Sequence, residues 1–213
     1  MPDRPPLAIV GAGGLGRKVA ALIEAIDQSD PTWNPIGFVD DDETLHGESV
    51  MGYPVHGNVD WLARHEGLQF VIAVGSGEAR RDIAEQLHPA DVRPASLVHP
   101  SVSLHRTAEV APGAIFCKGV ATAVDFQIDP HVFLNLNCTI GHDSILEAFV
   151  TLHPGVHISG NAYLESGVTM GAGSVVLPGT RIGEESTIGA GAVVVDDLPA
   201  HCTAVGVPAR PQS

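Results

Sequence analysis

Aromatic side chains are scarce in this sequence. Phe, Trp and Tyr supply 5 % of the chain, yet mean hydropathy is positive at +0.17. An ordinary core uses these rings to fill volume. Here Val, Ile, Leu and Ala must fill it, which suggests many thin, repeated layers. Basic residues are also few: 11 Lys and Arg face 25 Asp and Glu, a formal charge of −14. That balance argues against nucleic acid as the main partner, because phosphate binding needs a basic stripe. The three cysteines, Cys117, Cys138 and Cys202, form no CxxC pair and no zinc spacing. They point to a reduced, cytoplasmic chain without a structural metal. No apolar run approaches the roughly 18 residues of a spanning helix. The opening MPDRPPLAIVGAGG lacks the zones of a signal peptide. What abounds is Gly and Pro, 24 and 16 of 213 residues, and the length suits one large or two small domains.

The first part alternates strand and helix signals. The apolar run Leu7–Val10 is followed by a helical face at Val19, Leu22, Ile23 and Ile26. Ile36–Val39 reads as a strand stopped by Asp40, Asp41 and Asp42. Phe70–Val74 is a third strand, Ala79–Leu87 a second helix, and a strand near Ala95–Val98 closes the domain. Such alternation implies a small, mainly parallel sheet that binds ligands beyond the carboxyl ends of its strands. Gly11, Gly13 and Gly16 fit GxGxxG between strand and helix, where glycines admit a phosphate close to the backbone. The Asp40–Asp42 cluster offers carboxylates to a ribose or base. Arg17, Lys18, Arg80 and Arg81 gather near the same edge. The length before the repeat region holds one mononucleotide half of a Rossmann-like fold, not two, which disfavours a dehydrogenase. A Gly-rich turn that serves only packing remains an alternative.

The second part is a repeat of six. Every sixth residue from Val98 to Val194 is large and apolar, except Thr122. Four places after each comes a small or β-branched series running from Val102 to Leu198. Gly precedes that series at Gly113, Gly119, Gly155, Gly167, Gly173, Gly179 and Gly191, where a corner needs a permissive backbone. This is the hexapeptide signature of a parallel β-helix. Three hexads make one triangular coil, with coils ~4.8 Å apart. The expected domains are residues 1–96 and 97–213.

The repeat also holds candidates for acid–base chemistry. His142 stands in Ile140-Gly141-His142-Asp143-Ser144 at an outward position. Gly141 leaves space beside it, and Asp143 can hold the imidazole and raise its basicity. Structural roles suit His131, His153 and His157 better. Cys138 falls in the inward series and should be buried and inert.

These patterns resemble a known group. The hexapeptide frame is similar to that of left-handed β-helix acyltransferases. GAGGLG, FVDDD, AVGSGEARR, IGHDS and VGVPARP resemble the PglD- and NeuD-type sugar acetyltransferases across essentially the whole chain. The resemblance implies a left-handed helix and a homotrimer with acetyl-CoA lying between neighbouring prisms. It implies that His142 is the general base and Asp143 its assistant. The N–H of Gly160, one coil after His142, would receive the oxyanion. Thr151, Gly160, Pro178 and Arg210 would contact CoA. Gly13, Gly14 and Leu15 would face a nucleotide-linked aminosugar, Asp40 and Asp41 its nucleoside, and Gly75 and Ser76 would close the pocket. The implied reaction is N-acetylation of a nucleotide-linked 4-amino-4,6-dideoxyhexose, GDP-perosamine being the nearest acceptor. O-acetylation of a sugar such as sialic acid is the rival reading. A zinc enzyme of the γ-carbonic anhydrase type would need a third histidine two coils from a pair, which the spacing of His153, His157 and His201 does not supply. A purely structural β-helix would need neither His142-Asp143 nor a nucleotide edge.

Overall fold

The computed structural model describes residues 4–212. They form two compact units that divide between Leu97 and Val98.

The first unit runs β1 (Pro6–Val10), α1 (Gly14–Ser29), β2 (Asn34–Val39), a short hairpin of β3 (Ser49–Val50) and β4 (Tyr53–Pro54), α2 (Val59–Ala63), β5 (Leu68–Ile72), α3 (Gly77–Leu87) and β6 (Val92–Pro94). Four strands make one parallel sheet in the order β2-β1-β5-β6. β1 and the ends of β2 and β5 are apolar and buried, as a parallel sheet between helices requires, whereas β6 is buried only at Val92. α1 buries Val19, Ala20, Leu22, Ile23 and Ile26, the face expected from their spacing. Two glycines of the first loop are dictated by packing. Gly11 has φ +99°, and a Cβ there would press on the Ala73 carbonyl; a Cβ on Gly16 would collide with the Gly11 carbonyl. The chain leaves β1 toward β2 on one side and later returns to β5 on the other. This reversal opens a crevice at the carboxyl ends of β1 and β5.

The strand expected near Ala95–Val98 is displaced. The sheet closes with Val92–Pro94, which pairs with Leu68–Phe70. Leu97–Val98 instead joins a sheet of the repeat region. The short run around Arg93 and Pro94 carries too little apolar pattern to announce itself as a strand.

The second unit is a parallel β-helix with the hexapeptide frame of the left-handed class. Short strands recur once per hexad, and each pairs in parallel with the strand three hexads on, as in Phe133↔Thr151, Thr139↔His157 and Ile145↔Tyr163. The frame residues point inward and form one continuous core with the small series. Phe116 and Phe126 are both buried within it, at 0 % and 1 % exposure. Each buried Leu or Ile contributes on the order of 1.5–3 kcal/mol. Buried hydroxyls of the small series are satisfied locally: Ser144 Oγ donates to Gly141 O at 2.8 Å and Ser174 Oγ to Gly171 O at 2.7 Å. The odd frame residue, Thr122, is half-buried and donates to Ser103 O at 3.0 Å. Three places after each frame residue, most coils turn through a left-handed backbone. Where Gly is absent there, Asp125, His131, Asn137, Asp143, Phe149, Asn161 and Glu185 adopt φ of 54–63°.

The frame does not persist to Leu198 as expected. Leu198 bridges Ile182, and Ala204 pairs with Ile188, so this step falls two positions short of a full coil. Leu198 therefore occupies a large-residue position of a shortened last coil, not the small series. Arg210–Pro211 then runs antiparallel to Thr203–Val205.

Candidate functional site

One corner of the β-helix is built by stepping one full coil at a time: Val124, His142, Gly160, Pro178 and Asp196. Backbone bonds lock the layers together, from Asp143 N to Val124 O (3.3 Å), Asn161 N to His142 O (2.8 Å) and Gly179 N to Gly160 O (3.0 Å). The left-handed φ of 57° at Asp143 turns its carboxylate back on its neighbour. His142 Nδ1 lies 2.7 Å from Asp143 Oδ2. A carboxylate can only accept, so Nδ1 carries the proton and Nε2 keeps a lone pair. Both side chains are more than half exposed, at 58 % and 54 %, so the pair orients the ring more than it stabilises the fold.

The imidazole lies against Gly160. A Cβ built on Gly160 would stand 2.6 Å from His142 Nε2, and one on Gly141 would strike the Gly160 amide. Two glycines thus clear space for one ring. Among the described residues the Gly160 N–H donates to no backbone carbonyl. An imidazole nitrogen and a peptide N–H that no backbone carbonyl takes therefore share one corner, the pairing that acyl transfer needs. Pro178 is exposed above them. At the top of the column Arg210 Nη1 meets Asp196 Oδ2 at 3.0 Å. Sequence reasoning misses Asp196, although three one-coil steps from His142 lead to it.

Thr151 is a correction. Its side chain is 0 % exposed, so it does not offer the surface contact expected for CoA. The outward neighbour one layer below it, Phe133, is buried as well. His157 is exposed and its Nδ1 lies 3.0 Å from Thr139 Oγ1. Cys138 is fully buried, and burial pushes its thiol up to about 11.

In the first unit a cleft of about 240 Å³ opens at the carboxyl ends of the strands, lined by Gly11, Asp40, Asp41, Val59, Val74 and Ala79 among others. Gly13 and Gly14 are exposed, and a Cβ on either would meet nothing within 4 Å, so the loop presents bare backbone. Leu15 is half-buried, and Gly75 and Ser76 are exposed. Ser76 Oγ caps α3 by accepting from Ala79 N at 3.2 Å.

One expectation at this edge changes, the placement of Arg80. Asp40 turns its carboxylate onto its own chain: Oδ2 accepts from Ala12 N at 2.7 Å and Oδ1 from Asp42 N at 2.9 Å. It ties the first loop to the second while still lining the cleft, and Oδ1 of the exposed Asp41 beside it accepts from Val59 N at 3.4 Å. Arg80, grouped in the sequence with phosphate-facing cations, points inward and is 1 % exposed. Arg17 remains exposed at the edge. Among the described residues no group of three His, Cys, Asp or Glu converges as a metal site, and no helix is long and apolar enough to cross a membrane.

Two family models match parts of the chain. Residues 6–87 match the PglD N-terminal domain, and residues 161–196 match the bacterial transferase hexapeptide (six repeats). A comparison with curated proteins found no match. Solved structures match end to end. The acetyltransferase domain of PglB from Neisseria gonorrhoeae, in complex with acetyl coenzyme A, is 32 % identical with a TM-score of 0.89 over 99 % of this chain and 100 % of that one. A mutant of perosamine N-acetyltransferase from Caulobacter crescentus, in complex with CoA and GDP-perosamine, is 28 % identical with a TM-score of 0.91 over 98 % and 97 %. WeeI from Acinetobacter baumannii is 26 % identical with a TM-score of 0.87 over 97 % and 99 %. The chain belongs to the PglD/NeuD-like family of hexapeptide-repeat sugar acetyltransferases.

Proposed function

We propose that this protein moves acetyl from acetyl-CoA to the amino group of a nucleotide-linked 4-amino-4,6-dideoxyhexose, with GDP-perosamine the first acceptor to test. The observation that carries the mechanism is the His142–Asp143 pair set against the Gly160 amide. Asp143 holds Nδ1–H, and Nε2 takes a proton from the amine as its nitrogen attacks the thioester carbonyl. The Gly160 N–H receives the oxyanion, a contact that is strongest in the transition state. Collapse breaks the C–S bond, and the imidazolium returns its proton to the leaving thiolate. No covalent enzyme intermediate is needed.

CoA would follow the corner column. From His142 to Asp196 it climbs three layers, about 14 Å at ~4.8 Å per layer. Pro178 lines that track and Arg210 ends it, free to exchange Asp196 for a CoA phosphate. The acceptor's nucleotide would use the first unit: Gly13, Gly14 and Leu15 beside the phosphates and sugar, Asp40 and Asp41 at the nucleoside, Gly75 and Ser76 at the rim. The working form is a cytoplasmic homotrimer. Support comes from the relatives that bind CoA or acetyl-CoA, one of them with GDP-perosamine.

The test is CoA release across a panel of GDP-, UDP- and dTDP-linked aminosugars and their hydroxyl analogues. Turnover with an amine and not with the matching hydroxyl supports N-acetylation; the reverse selects O-acetylation. With the active acceptor, His142→Asn should lower kcat by about 10²- to 10⁴-fold while acetyl-CoA binding stays close to wild type. Near-normal turnover would remove His142 from the mechanism.

A further inference from the structure

Arg80 occupies an unfavourable place. It is the fourth residue of α3, where the helix dipole disfavours a cation. It is also 1 % exposed, although burying a guanidinium carries a large desolvation cost. Burial pulls its pKa down to about 10, which still leaves it charged at neutral pH. What the side chain does there is specific. Nη1 donates to Val74 O and to Gly75 O, each at 3.1 Å. Both carbonyls belong to the loop that joins β5 to α3. Val74 lines the ligand cleft together with Gly11, Asp41 and Ala79.

A planar trans peptide points its N–H opposite to its C=O, and the only cis bond among the described residues is Val207–Pro208. With the Gly75 carbonyl drawn onto the buried guanidinium, the Ser76 N–H is directed to the other side, toward the exposed surface of the loop. Without this clamp, carbonyl oxygens could rotate outward and repel an anion arriving at the edge.

We infer that Arg80 is a positioning residue of the nucleotide cleft: it holds the Val74 and Gly75 carbonyls inward, so that the loop meets the ligand's diphosphate with peptide N–H instead of carbonyl oxygen. The inference rests on the nucleotide-linked acceptor proposed above. It assigns no direct contact to Arg80.

The test uses the intact chain and isothermal titration with GDP, with UDP, and with acetyl-CoA as a control ligand. Arg80→Met keeps the stem and removes the donors; it should weaken diphosphate binding by about tenfold or more and leave acetyl-CoA binding unchanged. Arg80→Lys restores a buried donor and should recover part of the loss. A second pair avoids the buried site. Ser76 has φ −72° and ψ 125°, values that proline accepts. Ser76→Pro deletes the N–H and the hydroxyl, whereas Ser76→Ala deletes the hydroxyl alone. Diphosphate binding should fall further in the proline variant than in the alanine variant, by about tenfold or more. Equal binding in these two overturns the inference, as does wild-type binding by folded Arg80→Met, or a parallel loss of acetyl-CoA affinity. If Arg80→Met fails to fold, the Ser76 pair decides. A wild-type chain that binds acetyl-CoA but neither diphosphate overturns the nucleotide reading itself, and this inference with it.

Discussion

His142 owes its position to residues that carry no functional group. Its ring rests on Gly160, and Gly141 leaves the Gly160 amide uncovered. Gly160→Ala should therefore damage catalysis through geometry alone. The added methyl, 2.6 Å from Nε2, must displace the ring, and a shift of about 1 Å costs about 10² in rate. Steady-state kinetics should show kcat falling by that order, with the melting temperature little changed because the corner is at the surface. Asp143→Asn should lower kcat more mildly, since an amide oxygen still accepts from Nδ1–H but carries no charge to stabilise the imidazolium. The dyad is legible in the sequence because its members are adjacent; Gly160 becomes legible only through the one-coil step. Arg80 and Thr151 depart from expectation for a common reason. A sequence shows that a side chain is polar but not which way it turns, and both turn into the interior.

Among the elements, the β3–β4 hairpin is invisible to periodicity because strands so short cannot show alternation. Its turn is Met51-Gly52, with φ of 52° and 83°. Positive φ at both central residues is the primed turn that matches strand twist, usually built from Asn-Gly. Methionine is strained there, and its side chain is 45 % exposed, so little packing compensates. Met51→Asn should raise stability by about 0.5–1 kcal/mol, readable as a higher denaturation midpoint at unchanged slope. The β-helix strands are equally short, yet they are legible because their repeat lies between elements rather than within one. Every layer rests on the one below. Leu152, 0 % exposed and paired with Leu134 and Met170, shows the cost of breaking one: Leu152→Ala should lose about 2–5 kcal/mol in chemical denaturation.

For the whole molecule, scarcity of aromatics proves the most informative number. A prism whose layers admit one large and one small residue per hexad has room for Phe116 and Phe126 but not for a core of rings. The charge of −14 keeps such prisms apart at low ionic strength, so trimer formation should strengthen as salt screens it. Sedimentation of the 22.2 kDa chain should give three copies per particle, and a monomer at every salt concentration would remove the proposed intersubunit CoA groove. The hexapeptide pattern also overstates the length of the regular frame, because Leu198 suits either series and only pairing reveals the shortened step.

That shortened coil carries a further consequence. In-register parallel layers, each offering unpaired peptide groups to the next, are the building plan of a fibre. Here the stack is interrupted: the last step is cut short, and Arg210–Pro211 lies antiparallel along the exposed margin with a proline that has no N–H to offer. The last coil thus carries a stop to end-on growth, although most of the molecule's layers have the geometry for polymerisation.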